Sequence, residues 1–237
     1  MSDRRHAPGR SRLRGLQIIH EDRDLLVVCK EPGLLTMSHH RDQQATAERL
    51  LTRYLRKGGD RPWINAFTVH RLDRETSGVL VFARSAAVQQ KLKASWSKVE
   101  KRYTAVVHGR LEEATGTWSS YLLEDDDQFV RSTTDVARGK LAETRYRVVE
   151  ETPRVSLLDI TLLTGRKNQI RVHAAEAGHP VVGDRKYGRP GDRAPRMALH
   201  ARLLAFPHPY SGQRVAFEAP VPGEILRLVS GGAASRG

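Results

Sequence analysis

Short apolar runs, many of them β-branched and bounded by Gly, Pro or Asp, recur along most of this chain. GLQIIHE, LLVVCKE, GVLVFAR, YTAVVHGRL, ETRYRVVEE and SLLDITLLT each have the length and composition of a strand. Helical spacing is rarer. QATAERLLTRYLRK places Ala47, Leu50, Leu51, Tyr54 and Leu55 on one face, and Gly58-Gly59 ends it. SAAVQQKLKASWSK offers Ser85 as an N-cap and turns Ala87, Val88, Leu92 and Trp96 inward. A third helix is predicted from Asn168 to Ala177, with Gly178 as the left-handed residue beyond its end. So few helices cannot alternate with every strand. The expected class is α+β, a mixed and mostly antiparallel sheet with flanking helices.

Between these runs, residues 111–140 are polar and turn-rich and read as hairpin excursions, with EDDD a solvated acidic turn. The first fifteen residues and the last eight, 230–237, read as disordered, so residues 16–229 form the expected single domain. With 237 residues and 39% hydrophobic content, the chain can bury a core without cross-links. There is no internal repeat.

The net charge of +13 implies a polyanionic partner, with nucleic acid ahead of an anionic membrane surface. The N-terminal arm holds five arginines against one aspartate, yet most of the excess charge lies beyond it. Cys29 is the single cysteine, which excludes an internal disulfide and a thiolate metal cluster. It is expected as a small buried residue of LLVVCK. No apolar run reaches the ~18 residues of a membrane span, and the N-terminus has no apolar signal segment. The expectation is a cytoplasmic protein with no membrane attachment.

Metal and nucleotide motifs are missing. The sequence has no HExxH, no Asp-rich calcium loop, no GxxxxGK[ST] and no GxGxxG after a strand. His39, His40, His70, His173, His179 and His200 are scattered and read as surface or hydrogen-bonded residues. No metal and no cofactor is expected.

Three segments carry candidate chemistry. In VHRLDRETSGVLVFARS, Asp73 stands between Arg71 and Arg74 on the loop before an apolar strand. There it could be a solvated ion pair, a metal ligand, a proton donor or a nucleophile. In KRYTAVVHG, Tyr103 lies in a strand opened by two cations, and it is either an ordinary half-buried tyrosine or a working one. In LLTGRKNQIRVHAAEAGHPVVGDRKYG, Arg166, Lys167 and Arg171 crowd a helix start capped by Asn168. Cations there oppose the helix dipole, which favours anions by ~0.3–1 kcal/mol. The arrangement predicts a nearby anion, either a phosphate of the partner or a buried carboxylate such as Asp73.

Taken together and in order, IIHEDRDLLVVCKEPGLLTMS, HRLDRETSG, KRYTAVVHG, TGRKNQIRVH with HPVVGDRKYG, and LHARLLAFPHP resemble the RluA-type pseudouridine synthases over about residues 16–228. Asn168 departs from the family pattern, which commonly has His at that position. The fifteen N-terminal residues leave no room for the S4 RNA-binding module that many relatives carry.

The resemblance implies the pseudouridine synthase fold with a central RNA-binding cleft. It also implies isomerisation of a uridine in rRNA or tRNA to pseudouridine without cofactor or metal, by a monomer acting on an RNA stem-loop. It makes Asp73 the essential carboxylate and Arg171 the arginine paired with it. Tyr103 becomes the tyrosine lying against the target base, and Arg71 the residue that inserts where the flipped base left. His70, Arg166, Lys167, Arg185 and Lys186 are the further RNA contacts expected, and Ile170 and Leu199 the apolar walls of the base pocket. Two other classes stay open. One is a basic RNA-binding or chaperone protein that has lost catalysis on the same fold; the other is a nucleic-acid glycosidase using Asp73.

Overall fold

The computed structural model describes residues 12–38, 44–57, 59 and 63–230, so the readings made of His39, His40 and Gly58 lie outside the described residues. Twelve strands and four α-helices are present among the described residues. In chain order they are β1 (Arg12–Leu13), β2 (Leu16–Glu21), β3 (Leu25–Lys30), α1 (Ala47–Leu55), β4 (Phe67–Thr68), β5 (Ser77–Ala83), α2 (Ala86–Ala94) and β6 (Glu100–His108). Then follow β7 (Thr115–Glu124), β8 (Val130–Thr133), β9 (Lys140–Glu151), β10 (Val155–Leu162), α3 (Gln169–Glu176), β11 (Leu199–Pro207), β12 (Arg214–Glu218) and α4 (Gly223–Ser230). Neighbouring strands pair antiparallel across both units, as the scarcity of helices predicted. β1 lies inside the stretch read as a disordered arm, so the ordered chain starts earlier than residue 16.

The chain forms two compact units. Unit 1 comprises Met1–Val99 with Phe206–Ala219, and unit 2 comprises Glu100–Ala205 with Pro220–Gly237. In unit 1 the order β1-β2-β3-β5 is carried by β3 and β5, where Leu25 to Lys30 pair with Ala83 to Gly78. Every residue of β5 is buried, which is why its sequence is a continuous apolar run instead of an alternating one. Thr46 caps α1 by accepting the Arg49 N–H at 3.3 Å, and Ser85 caps α2 by accepting the Val88 N–H at 3.2 Å. Ala87, expected inward, is exposed; α2 ends at Ala94, and Trp96 opens a separate 3-10 turn.

One strand inverts its expected burial. Cys29 is only half-buried, while Lys30 beside it is fully buried. The Lys30 ammonium donates to the carbonyls of Glu31 at 3.0 Å, Leu34 at 2.9 Å and Arg74 at 3.0 Å, which occupies its three donors. Lys30→Met should leave those carbonyls without their charged donor and cost about 3 kcal/mol of unfolding free energy in urea titrations.

Unit 2 is a six-stranded sheet in the order β11-β6-β10-β9-β7-β8. Its two faces follow from the two-residue period. Ala105, Val107, Leu158, Ile160 and Tyr146 point to the face on which α3 packs through Ile170 and Ala174. Val106 and Leu157 point to the other, where α4 packs through Ile225 and Val229. The segment 111–140 is the β7–β8 hairpin with its acidic turn at Asp125–Gln128, as the turn-rich composition predicted.

Candidate active site

Asp73 sits four residues before the buried strand β5, on a loop fastened at nearly every neighbour. Leu72 is buried, and its amide and carbonyl both bond the Thr36 hydroxyl, at 3.2 and 3.0 Å. The Arg74 carbonyl accepts from the Gly33 N–H at 2.8 Å and from Lys30. Arg74 Nε donates to the Gly33 carbonyl at 3.0 Å, so this exposed residue tethers the loop. The Asp73 carbonyl accepts from the Thr76 N–H at 3.1 Å, closing the turn into the strand. The half-buried side chain is thus aimed by a rigid backbone, and Arg71 next to it is exposed. His70 accepts the Val81 N–H at Nε2, 3.1 Å away, and its ring lies 4.9 Å from that of Trp96. It is a fastener of the loop to β5.

In unit 2 the helix start resolves the puzzle of the crowded cations. The Arg171 guanidinium is gripped from two sides by Asp184, with Nε to Oδ2 at 2.7 Å and Nη2 to Oδ1 at 2.8 Å. Its Nη1 donates to Asn168 Oδ1 at 3.1 Å, and the Tyr187 ring lies 5.0 Å from the guanidinium carbon. Burial alone would push the Asp184 carboxyl up. The hydrogen bond and charge of Arg171, with the N–H groups of Tyr187 and Lys186, hold it below the usual carboxylate range. Sequence reasoning missed Asp184 and Tyr187; the signal was an acid inside GDRKYG, surrounded by cations.

The loop bearing Asp184 is fixed by close backbone approach. A Cβ on Gly183 would meet the Arg196 carbonyl oxygen at 2.1 Å, and one on Gly188 the Asp184 carbonyl oxygen at 1.9 Å. Asp192 adds a bond to the Gly183 N–H at 2.7 Å and one to His108 at 2.8 Å.

Asn168 occupies the N-cap position of α3 in a left-handed conformation, φ 54°, and its side chain makes no cap. It donates instead to the Tyr187 hydroxyl at 3.1 Å while accepting from Arg171. The expected capping role is therefore corrected. The loop before the helix is held by Gln169, which accepts from the Arg166 N–H at 2.9 Å and Thr164 Oγ1 at 2.8 Å.

Tyr103 is half-buried on β6 and packs against the cluster containing Ile170 and Leu199. Those two, read as pocket walls, are 4% and 3% exposed and belong to the core. Of the other cations, Arg185 is exposed, and Arg166 is exposed with Nε on the Leu141 carbonyl at 2.9 Å. Lys167 is paired with Glu124, and Lys186 donates to the Gln128 carbonyl at 2.7 Å and lies 4.7 Å from the Phe129 ring. Both have structural partners of their own. In unit 1, the ligand atoms of Asp22, Asp24 and His208 lie within 4.8 Å of one another. Hydrogen bonds account for Asp22 there: its Oδ1 accepts two backbone N–H groups, and its Oδ2 lies 2.7 Å from His20 Nε2.

Behind the α3 face, His173 joins a polar chain. Its Nδ1 lies 2.8 Å from Thr144 Oγ1 and its Nε2 3.1 Å from Ser120 Oγ, which accepts from Ser132 at 2.8 Å. Burial pushes the imidazole below its usual range, only partly offset by the charge of Glu176. The folded state thus binds this proton less readily than the unfolded one. The stabilising contribution is complete above the unfolded value of about 6.5 and is lost as pH falls below it toward the folded value. The melting temperature should drop between pH 7.5 and pH 5.5, and His173→Gln should flatten that drop in thermal scans at each pH.

The family described as RNA pseudouridylate synthase matches residues 24–176. The dual-specificity RNA pseudouridine synthase RluA of Escherichia coli (strain K12) is 38% identical over 213 residues, covering 86% of this chain and 93% of that protein. Ribosomal large subunit pseudouridine synthase D of Nitrosomonas europaea is 35% identical over 225 residues, 90% of this chain and 64% of that protein. Among solved structures, human RNA pseudouridylate synthase domain containing 4 superposes with a TM-score of 0.75 at 23% identity, covering 92% of this chain and 93% of that one. Human RNA pseudouridylate synthase domain containing 1 superposes with a TM-score of 0.70 at 29% identity, covering 86% and 83%. The fold is that of the pseudouridine synthases, and the chain belongs to the RluA-type RNA pseudouridine synthases, enzymes that isomerise uridine in RNA.

Proposed function

We propose that this enzyme, a cytoplasmic monomer, acts on a uridine in a stem-loop of rRNA or tRNA, with Asp73 as its essential carboxylate. The observation that carries the reading is the fastening of the loop backbone on both sides of Asp73, Leu72 by Thr36 and Arg74 by Gly33 and Lys30, at the mouth of β5. Elaborate support for one half-exposed acid is what a working carboxylate requires and a solvated ion pair does not. The relatives, one a dual-specificity and the other a ribosomal large subunit pseudouridine synthase, support both RNA classes.

The reaction balances within the RNA. The bond from uracil N1 to ribose C1′ breaks, the base turns, and C5 bonds to C1′. The C5 proton leaves and N1 gains one, so nothing is oxidised and no group is released. The uridine has to leave its stack, at a cost of a few kcal/mol, and exposed Arg71 is the residue to fill the vacated place. The resemblance assigns Tyr103 and Arg171 to the same reaction as Asp73. Tyr103 has an apolar backing that lets its ring lie against a base. Arg171 is held by Asp184 and Asn168, so its charge needs no reorganisation. Arg166 and Arg185 are exposed and suit phosphate contacts. The contact of Asn168 with Arg171 supports an active enzyme, since the residue that departs from the family pattern holds the arginine. Mapping pseudouridine in cellular RNA with and without this gene tests the assignment: a position that loses its pseudouridine on deletion names the target, and an unchanged map argues against the proposed substrates.

A further inference from the structure

The unit 2 sheet has a face that α4 covers only at one end, through Val106 and Leu157. Farther along the same face, strand register sets polar residues in rows. One row runs Arg102, Thr161, Arg145, Thr117 across β6, β10, β9 and β7. The next runs Thr104, Asp159, Arg147, Thr115 across the same strands. Most of these residues line a shallow depression of about 480 Å³. Tyr103, Ile160 and Tyr146 are the intervening residues and point to the opposite face, against α3.

The charges of this face do not cancel. Among the residues lining the depression, three guanidiniums face one carboxylate, Asp159. Asp159 is already shared between Arg147 at 3.3 Å and Arg202 at 3.2 Å, and Arg102 is bonded to Glu100 at 2.6 Å. The Arg145 side chain makes no hydrogen bond or ion pair among the described residues. Arg145 and Arg147, two residues apart, stand ~6.8 Å apart along the strand, and Arg102 and Arg145, two strands apart, ~9.6 Å. Like charges at such spacing disfavour the bare face. Guanidiniums interleaved with hydroxyl donors on a rigid, uncovered sheet match an array of phosphates.

We infer that this face binds the phosphodiester backbone of the substrate RNA, away from the segment that holds the target uridine. It rests on RNA being the substrate and adds a second contact region on the sheet face opposite Tyr103. Such contacts set affinity and its salt dependence and carry no base information.

The test uses the full chain and a 30-nucleotide RNA hairpin as probe, with affinity measured from 50 to 300 mM KCl. Arg102→Gln/Arg145→Gln/Arg147→Gln should reduce the slope of log K against log salt by about 2 and weaken binding roughly tenfold at low salt. A charge-matched control, Arg23→Gln/Lys93→Gln/Arg227→Gln, should change both far less. A wild-type slope in the first variant, or an equal drop in the control, would overturn the inference. Arg145→Glu alone repeats the test should the triple variant not fold. Because binding is read without chemistry, such a failure is separate from failure of the role given to Asp73.

Discussion

Asp73→Asn is expected to lower pseudouridine formation by at least about a thousandfold, or roughly 4 kcal/mol of transition-state stabilisation, while leaving unfolding free energy within about 0.5 kcal/mol of wild type. The two halves of this expectation come from different atoms. The loop is fastened through the backbones of Leu72, Asp73 and Arg74 and through Lys30 and Thr36, none of which the substitution touches. The exchange is isosteric and removes only the charge. A nucleophile or a base both need that charge, so activity falls whichever route the carboxylate takes. Single-turnover assays on the mapped RNA, with urea titration of the same preparation, read both quantities. An inactive variant that is also strongly destabilised would indicate a structural acid.

Asp184→Ala carries the second large effect and reverses the balance. Asp184 is buried, and its carboxylate supplies both the pair to Arg171 and the acceptor for the N–H groups of Lys186 and Tyr187. Removing one member of a buried pair costs about 3–5 kcal/mol, because the guanidinium keeps its desolvation cost without the opposing charge. Urea unfolding should show that loss directly. Replacing both members, Arg171→Met with Asp184→Met, should recover much of the stability and none of the activity. If activity returned with stability, Arg171 would have no part in the reaction. The acid limb agrees in sign: with the Asp184 carboxyl held low in the folded state, its contribution is complete above pH 4 or so and is lost as pH falls below about 3.8.

The strands were legible because their residues are β-branched and their ends are marked, α1 because its apolar residues recur on one face, and α2 because Ser85 caps it. β11, β12 and α4 were not assigned from periodicity. β12 is only five residues, too short to stand out against the turns beside it. The disordered reading of residues 12–15 failed because pairing of Arg12 and Leu13 with Gln17 and Leu16 outweighs a basic, loop-like composition. Lys30 was illegible for a different reason. Its burial depends on the Arg74 carbonyl, 44 positions away, and no local pattern encodes that. The same holds for Asp184: the cations crowded at α3 imply a nearby anion, and Asp184 reaches Arg171 because the loop after α3 folds back, with Gly183 and Gly188 permitting its close approach. The motif residues are local in sequence, whereas the residues that hold them meet only in three dimensions.

The most direct test of the central claim follows the hydrogen on C5. RNA carrying tritium at uracil C5 is incubated with the wild-type chain and with Asp73→Asn. The account predicts tritium release to water in step with pseudouridine formation by the wild type, no free uracil, and no release by the variant. Free uracil, or release that persists without the Asp73 carboxylate, would contradict it.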